Sequence, residues 1–411
     1  MLTTKLFKYI PVNEAVNRVL KVLDHITLKT EEVHIKSALG RVLAEEIRVK
    51  EDIPLHNASH FDGYAVDYRD TITASPKNPL KLSIKGEIYP GEDHDLNIGA
   101  GEVFYVGTGA YLPKNANAVI PVESAKVIGS NMIEIRHPAK YGDHVVWKGS
   151  DFKAGEMVFR PGHILRPPDL GLLAQLGYHK VKVYGKPKVS IISVGDELVS
   201  RAILDKSVII EGLLREYNCI PIDLGVAGDD VNEIRELIIK SAHSSSLIIT
   251  IGGCSVGKKD LVPDAILSIE NSQIVVRGLK RVPGRQTSFA VALGKPILML
   301  PGLIQSMIIG FYSLGVPVIA KLLGAHLKSF HHIIKVRISR SIELNRMKPF
   351  ERIVFGKIVD YMDHPIVKPL PGISMHINPV VRSDGFIIIP PMKVSVSPGE
   401  LLSFHLFKSI I

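Results

Sequence analysis

The residues from 186 to 325 alternate between short apolar runs and helical patterns, and this alternation limits the possible folds more than any other feature. Four apolar runs predict buried strands: KVSIISV (188–194), CIPIDLG (219–225), SLIITI (246–251) and PILML (296–300). Helical patterns follow three of the runs: near 207–217, over Val231–Ala242 and after Pro301-Gly302. Such alternation predicts a parallel, doubly wound sheet, in which ligands bind at the carboxyl ends of the strands.

The segments on either side of this region have different patterns. Val12 to Ile26 carries apolar residues at helical spacing, and a helical pattern returns between 166 and 177. The residues between them form short apolar runs separated by Gly, Pro and Asn, which predicts an inserted β-rich domain. After residue 327, alternating apolar residues predict a small β-barrel or sandwich. The predicted domains are a helical N-terminal domain (1–48 and 144–185), an inserted β-rich domain (49–143), an α/β domain (186–326) and a C-terminal β-domain (327–411).

Composition narrows the class of function. The 411-residue chain has a formal net charge of +9, yet its Lys and Arg residues are scattered and only 6% of residues are aromatic. This favours small polyanionic ligands over a nucleic-acid surface. Cys219 and Cys254 are too few for a disulfide framework and suit a reducing cytosol. No secretion signal is read at the N-terminus, so we expect a cytoplasmic protein.

One uncharged stretch, Pro296 to Ala320, is long enough to cross a membrane. However, Pro301-Gly302 interrupts it near its start, and Gln305, Ser306 and Pro317 follow. A buried strand, a turn and a buried helix are therefore the preferred interpretation, and we expect no membrane association.

The stretch TIGGCSVGKKD (250–260) resembles a phosphate-binding loop of the form G-x-x-x-x-G-K-[ST], but Lys259 occupies the position of the Ser or Thr. That hydroxyl ligates Mg²⁺ in nucleoside triphosphatases, so its absence argues against such an enzyme. The glycines would still let backbone N–H groups approach an oxyanion, and a helix starting at Asp260 would add its dipole. A tight turn with solvent-exposed lysines is the other interpretation, and the loop alone does not choose between them.

Several carboxylates follow the predicted strands: Asp196, Glu197, Asp229, Asp230 and Asp260. Mg²⁺ usually takes one or two carboxylates together with water and substrate phosphates, so these residues suit a metal that bridges to a phosphorylated ligand. Each could instead cap a helix. Asp230, with Glu233 three residues later, is expected mainly to cap.

The segment Val282-Pro-Gly-Arg285 is preceded by two further cations, Lys280 and Arg281. A Pro-Gly turn flanked by three cations could clamp an oxyanion, and a solvated hairpin is the alternative. The histidines lack carboxylate or cysteine companions at ligand spacing, so we expect ordinary polar roles for His56, His60, His331 and His332.

The segment NASHFDGYAV (57–66) resembles a specific motif of the MoeA family, which includes the gephyrin E domain. VGDEL (194–198), GGCSVG (252–257) and Pro301-Gly302 extend the resemblance over nearly the whole chain. It implies a multidomain α/β and β fold: a MoaB/MogA-like doubly wound α/β domain, an inserted β-domain, a helical N-terminal domain and a C-terminal β-barrel. It also implies an L-shaped homodimer whose active site lies in a cleft between subunits.

The resemblance implies the activity of a molybdopterin molybdotransferase. Such an enzyme takes adenylylated molybdopterin and molybdate, or tungstate, cleaves the AMP anhydride in a Mg²⁺-dependent step and inserts the metal into the dithiolene. The expected partners are these small molecules, a second copy of the chain and other proteins of cofactor synthesis. The chemistry agrees with the residues, because a phosphate anhydride and an oxyanion need Mg²⁺ carboxylates, cations and backbone donors.

The site residues are transferred by matching motifs. Asp62, Glu197, Asp260 and Arg285 are the expected catalytic residues, and Glu197 with Asp260 would hold the metal. The expected ligand-binding residues are Thr108, Gly109, Asp151, Asp229, Gly252, Gly253, Ser255, Gly257, Lys280, Arg281, Pro301, Gly302, Arg352 and Ser374.

The chain departs from the family pattern mainly in the α/β domain. The family's K-P-G-K-P appears as Val282–Gln286, its P-G-N-P-V-S as Pro301–Ser306, and Lys258 occupies the place of an acid. Two hypotheses follow: an active transferase, or a relaxed paralogue that binds molybdopterin or an oxyanion as a partner protein. The first is favoured if Lys280 or Arg281 faces the same cleft as Asp260.

Overall fold

The computed structural model describes residues 7–92, 95–200, 206–254, 261–330, 332–344, 349–361 and 363–407. The chain divides into two compact units. One is Glu46–Arg160, and the other combines Met1–Glu45 with Pro161–Ile411. This division is coarser than the four predicted domains, whose boundaries stay a prediction.

The chain begins with helix α1 (Val12–Val22) and strand β1 (Thr30–His34). The helix buries Ala15 and Val19, four residues apart, together with Leu23 just after its end. The predicted amphipathic helix is therefore confirmed, although it ends four residues before Ile26.

The unit Glu46–Arg160 is built of strands, as its β-rich pattern predicts. They are β2 (Ile47–Arg48), β3 (Ala58–Ser59), β4 (Gly63–Val66), β5 (Leu80–Ile88), β6 (Glu102–Val106), β7 (Ala118–Pro121), β8 (Ala125–Ile128), β9 (Met132–Ile135), β10 (Val145–Val146) and β11 (Met157–Phe159). Six form one sheet in the order β7-β4-β6-β5-β9-β8. Tyr64 and Val66 pack into one core and Ala65 into another, so β4 is buried on both faces.

Helix α2 (Pro167–Gln175) and strand β12 (Lys180–Tyr184) return the chain to the larger unit. β12 pairs antiparallel with β1. The helix begins at the predicted proline pair, where a missing N–H costs nothing, and ends before Gly177 in the left-handed conformation.

The region after residue 186 forms a six-stranded sheet in the order β14-β13-β15-β19-β18-β16. Its strands are β13 (Lys188–Val194), β14 (Ile220–Ala227), β15 (Leu247–Ile251), β16 (Gln273–Arg277), β18 (Ser288–Ala292) and β19 (Lys295–Leu300), and β17 (Arg281–Val282) lies outside it. The helices are α3 (Asp196–Ser200), α4 (Ser207–Glu216), α5 (Val231–Ser244), α6 (Val262–Leu267), α7 (Ile304–Gly310) and α8 (Val316–Leu322). The four predicted strands are confirmed and run parallel, whereas β18 and β16 add an antiparallel edge that the periodicity did not indicate.

Both faces of this sheet are covered, which confirms the doubly wound prediction. Ile191 and Ile249 face the core shared with α1, α4 and α7, whereas Ile192 and Ile248 face the core shared with α5 and α6. Alternate residues of one strand thus enter opposite cores, which is why Lys188 and Asp223 are the only charged residues in the four runs.

Helices α7 and α8 join through a π-helical segment, Phe311–Gly315, into one helix of 19 residues. Pro317 has no N–H for the carbonyl four residues earlier, which accounts for a local change in hydrogen bonding. The 19-residue helix is long and apolar enough to cross a membrane, but 89% of its most apolar stretch is buried inside the protein. This agrees with the predicted buried strand, turn and helix.

The C-terminal residues form a closed barrel of five strands in the order β22-β23-β20-β26-β24, closed by pairing of β24 with β22. Its elements are β20 (Ile333–Ile338), β21 (Ile342–Glu343), β22 (Glu351–Tyr361), β23 (Pro365–Leu370), α9 (Asn378–Val381), β24 (Gly385–Ile389), β25 (Ser395–Val396) and β26 (Leu401–Leu406). β17 joins the barrel as a parallel neighbour of β22. The predicted C-terminal barrel is confirmed.

Asp230 caps α5, as its sequence context predicts. Its Oδ1 accepts hydrogen bonds from Asn232 N (2.8 Å) and Glu233 N (2.9 Å). Asp230→Ala should lower the free energy of opening of α5 by about 1 kcal/mol, while Asp230→Asn should preserve it because asparagine caps equally well. Native-state hydrogen exchange of the α5 amides measures this helix separately from the rest of the chain. Unchanged exchange in the alanine variant would contradict the capping role.

Candidate functional site

The carboxyl ends of three parallel strands meet at one level. Ser193 pairs with Ile251, and Ile251 pairs with Leu300, so the loops that follow leave the sheet side by side. Gly252 N donates to the Leu300 carbonyl oxygen at 2.9 Å. The loop after β15 and the Pro301-Gly302 turn after β19 are therefore neighbours, as the topology predicts.

Gly252 and Gly253 are required by this close approach. Both adopt positive φ, of 93° and 58°. A Cβ atom on Gly252 would lie 2.5 Å from the Val194 carbonyl oxygen, and one on Gly253 would lie 2.9 Å from the side chains of Val194 and Val262. A side chain at Gly252 would require the β13 backbone to move, and one at Gly253 would require the two valine side chains to move. With glycine at both positions, the backbone at the edge of the sheet stays partly exposed. We call this arrangement of Val194, Gly252, Gly253 and Gly302 the glycine cradle.

The rest of the loop lies outside the described residues. This applies to Ser255, Gly257 and Asp260 and to the lysine pair 258–259. The next helix, α6, begins at Val262 and has only six residues, so the helix expected to start at Asp260 is short.

Lys206 reaches the glycine cradle from the start of α4. Its Nζ donates to the Gly302 carbonyl oxygen at 2.8 Å. Sequence reasoning did not select this lysine, because its partner Gly302 is 96 positions away along the chain. The sequence signal that could have found it is its position at the start of the predicted helix near 207–217, the first helix pattern after strand β13.

The predicted carboxylates after β13 and β14 lie together. Asp196 Oδ1 accepts a hydrogen bond from Asp229 N at 2.8 Å, and Gly195 N donates to the Ala227 carbonyl oxygen. The Glu197 carboxylate folds back over Gly195, where an added Cβ would lie 2.7 Å from both carboxylate oxygens. The structure therefore brings Glu197 and Asp229 to one corner of the sheet, with Asp196 joining them.

Arg281 has a different environment from that of an exposed clamp. Its guanidinium is buried, with Nε 2.8 Å from Glu351 Oε2 and Nη1 2.8 Å from Ser313 Oγ. Burial lowers the pKa of Arg281, and the Glu351 carboxylate opposes that shift. These contacts connect β17 with the barrel and the π-helical segment, so they describe a structural ion pair. That Lys280 or Arg281 shares a cleft with Asp260 stays a prediction, because Asp260 lies outside the described residues.

The loop that follows Arg281, residues 282–285, packs against α7 and does not project into solvent. Leu279 N donates to the Arg285 carbonyl oxygen at 2.8 Å, and Gly284, at a φ of 103°, lies against Ile309 and Gly310 of α7. The Arg285 side chain is exposed, and that of Lys280 is half-buried. The segment is a hairpin-like turn held on the helix that follows Pro301-Gly302.

The barrel brings two predicted residues toward this helix. Arg352 pairs with Val282 across β22 and β17, which places it beside the 282–285 loop. The Ser374 carbonyl oxygen accepts from Gln305 N at 3.1 Å, and Gln305 Nε2 donates to the His376 carbonyl oxygen at 2.9 Å. Gln305, Arg352 and Arg340 line a cavity of about 390 Å³. Gln305 and Arg340 were not predicted, because only the docking of the barrel brings them to this place.

The unit Glu46–Arg160 holds the other predicted acid, Asp62, on an exposed surface. Its Oδ1 accepts hydrogen bonds from Thr108 N at 2.6 Å and from Thr108 Oγ1 at 2.8 Å. The Thr108 hydroxyl, and then its backbone N–H, hold the pKa of Asp62 below its usual value. The Asp62 carboxylate is thus kept ionised and fixed in direction.

Strand pairing explains this contact. Gly63 pairs with Val106 across the antiparallel strands β4 and β6. Asp62, just before Gly63, therefore lies at the same end of the strand pair as Thr108, two residues after Val106. A Cβ atom on Gly63 would lie 2.4 Å from the Ile120 carbonyl oxygen, which explains the glycine after Asp62. Gly109 continues the Thr108 loop at a φ of 82°.

Asp151 is exposed, and its N–H donates to the Ile53 carbonyl oxygen at 3.1 Å.

Two family models match the chain. "MoeA N-terminal region (domain I and II)" covers residues 10–177, and "Probable molybdopterin binding domain" covers residues 190–321. The second match contains the glycine cradle and the neighbouring acids, and the first contains Asp62 and Thr108.

Individual relatives span most of the chain. A molybdopterin molybdenumtransferase from Staphylococcus epidermidis is 29% identical over 356 residues, which cover 85% of this chain and 83% of the relative. A crystal structure of a molybdopterin biosynthesis MoeA protein from Pyrococcus horikoshii is 30% identical, with a TM-score of 0.77, over 98% of this chain and 100% of that one. A second structure from the same organism is 27% identical, with a TM-score of 0.83, over 97% and 100%.

The hydroxyl of Thr108 can be tested by substitution. Thr108→Val removes the side-chain hydrogen bond but keeps the backbone N–H, so the pKa of Asp62 should rise toward that of an ordinary aspartate. Thr108→Ser keeps the hydroxyl and should leave the pKa lowered. An NMR titration of the Asp62 carboxyl carbon measures both variants. Equal pKa values in the valine and serine variants would show that the hydroxyl does not hold the carboxylate.

Proposed function

Because this chain belongs to the MoeA family, we propose that it is a molybdopterin molybdotransferase, which inserts molybdate into adenylylated molybdopterin and releases AMP. Its role in molybdenum cofactor biosynthesis and its class, transferase, follow from the family. The identity of the reacting species, the Mg²⁺ requirement, the homodimer and the cytoplasmic location are the finer parts of the proposal. Tungstate is an alternative to molybdate.

The glycine cradle is the observation that carries the proposal. Its partly exposed backbone lies at the carboxyl edge of a parallel sheet, where phosphate groups are commonly bound. Lys206 brings a positive charge to the cradle, and the Asp196–Asp229 corner brings negative charge to the ends of the neighbouring strands. A site with both signs of charge suits a phosphate anhydride together with a divalent cation better than a lone anion.

The carboxylates have the right chemistry for Mg²⁺. No group of three or more His, Cys, Asp or Glu side chains in the described part of the chain forms a complete metal site. Mg²⁺ does not need one, since it usually binds one or two carboxylates and completes its shell with water and substrate phosphates. Glu197, next to Asp196 and Asp229, is the described residue that would hold the ion, together with Asp260. When bound, Mg²⁺ would neutralise charge that develops on the phosphate oxygens.

The remaining residues bind and orient the substrate. Because the Gly252 N–H already bonds to Leu300, the Gly253 N–H is the backbone donor that would contact a phosphate oxygen, and Lys206, already fixed on the Gly302 carbonyl oxygen, would supply a nearby cation. Arg285, Arg352 and Gln305 belong to a second group of polar residues around the start of α7. We assign these to the oxyanion and the pterin, whereas Arg281 serves the fold through its pairing with Glu351.

Asp62 is proposed to act as an ionised carboxylate. Thr108 donates both of its hydrogen bonds to Oδ1 of Asp62, so Oδ2 takes no hydrogen bond from Thr108. A carboxylate with a lowered pKa is poorly suited to deliver a proton at neutral pH. Its proposed role is therefore to place negative charge, with Thr108 and Gly109 fixing its position.

The direct test is release of AMP from adenylylated molybdopterin in the presence of Mg²⁺ and molybdate. We expect turnover by the wild-type protein and a loss of about 100-fold or more in Asp62→Asn, since removing a preorganised charge costs this much in other enzymes. Asp95→Asn is the matched control, because Asp95 is an exposed carboxylate of the same unit, paired with Lys114. This control should retain wild-type turnover.

Other outcomes would indicate other functions. Tight binding of molybdopterin with no AMP release at any molybdate concentration would contradict the transferase proposal and favour a binding partner protein. Release of phosphate from ATP would favour a nucleotide-hydrolysing enzyme. Full activity of Asp62→Asn would remove Asp62 from the site while leaving the glycine cradle in place.

A further inference from the structure

The amino-terminal edge of the α/β sheet, opposite the glycine cradle, carries a separate cavity of about 840 Å³. Its walls come from the starts of the parallel strands, from the end of α5 and from the segment before β1. Four lysines and one arginine line it, against one carboxylate, Glu31, which gives the lining a net charge of +4. The proposed transferase reaction uses none of these residues.

Two of the lysines lie in one row of the sheet. Val189 pairs with Leu247 and Ile248 pairs with Ile297, so one row contains Lys188, Ser246 and Lys295 on three neighbouring strands. Residues in one row of a sheet project from the same face, and neighbouring strands are about 4.8 Å apart. The two lysine Cα atoms are therefore about 10 Å apart, with a serine between them.

The other two lysines come from the opposite wall. Gly185 N donates to the Lys29 carbonyl oxygen at 2.9 Å, which places Lys29 beside the turn that contains Lys186. Both side chains are exposed. The cavity thus receives lysines from two walls rather than from one flat surface.

These four ammonium groups have no carboxylate partner among the residues that the structure describes. The carboxylate of the lining, Glu31, is paired with buried Arg41, whose Nη2 also donates to the Tyr184 carbonyl oxygen at 2.8 Å. The carboxyl end of α5 adds a dipole equivalent to about half a negative charge, which is small beside a net charge of +4. The field inside the cavity is therefore positive.

We propose that this cavity is a second anion site, which binds a small molecule carrying two or more phosphate groups. Cations on two walls can contact several phosphates at once, which a single phosphate would not require. Among the described lining residues His243 is the one aromatic ring, whereas a nucleic-acid surface uses several aromatic side chains to stack successive bases. The concave shape also suits a compact ligand better than an extended polymer.

Inorganic tripolyphosphate is the probe for this site. Because the glycine cradle is itself proposed to bind phosphate, the measurement must be local: hydrogen exchange with and without tripolyphosphate. We expect protection of segments 26–31, 185–188, 243–246 and 294–296. The double substitution Lys188→Gln and Lys295→Gln should raise the tripolyphosphate concentration needed for half-maximal protection at least tenfold. It should leave AMP release unchanged.

Lys357→Gln with Lys368→Gln is the matched control, because these two exposed lysines face each other across β22 and β23 of the barrel. It removes the same charge from a surface outside the cavity and should bind tripolyphosphate like the wild type. The proposal is overturned if the four segments show no protection, or if the cavity variant and the control behave alike. Protection by a single-stranded oligonucleotide at lower concentration than by tripolyphosphate would also overturn it, in favour of a nucleic-acid surface.

Discussion

The glycine cradle depends on how closely the Val194 carbonyl oxygen approaches Gly252. Neighbouring parallel strands are only about 4.8 Å apart, so loops that leave β13, β15 and β19 at one level compete for the same space. A Cβ atom on Gly252 would lie 2.5 Å from that oxygen, and Gly302 is also close to Gly252. Glycine resolves the conflict and leaves the backbone partly exposed where the sheet ends, which allows a phosphate to approach it closely.

The two edges of the α/β sheet have different chemistry. At the carboxyl edge, Asp196 and Asp229 lie near the glycine cradle, and Lys206 contacts Gly302. At the amino edge, Lys188 and Lys295 lie in one row without a carboxylate partner among the described residues. The first arrangement suits an anhydride with a divalent cation, and the second suits a polyanion alone. One sheet can therefore present two anion sites of different selectivity, because both edges are fixed by the same strand register.

The sequence was informative where a local pattern decides the structure. Strands such as Lys188–Val194 are buried on both faces, so their apolar runs end within a residue or two of the observed strands. It failed where contacts depend on docking. The side chains of Lys206 and Gln305 bond to backbone that only the folded loops bring near them. Arg281 looked like part of an anion clamp, because a sequence does not distinguish a cation paired with a distant Glu351 from one that faces a ligand.

We propose that the glycine cradle binds the phosphate of molybdopterin. Its test is the affinity of Gly252→Ala for adenylylated molybdopterin, with Gly212→Ala of α4 as control. Gly212 has open space around its Cβ position and is an ordinary helical residue. We predict at least a tenfold loss of affinity in Gly252→Ala, with the amides of β15 still protected from exchange, and wild-type affinity in Gly212→Ala. Wild-type affinity in both variants would show that the phosphate does not bind at the glycine cradle.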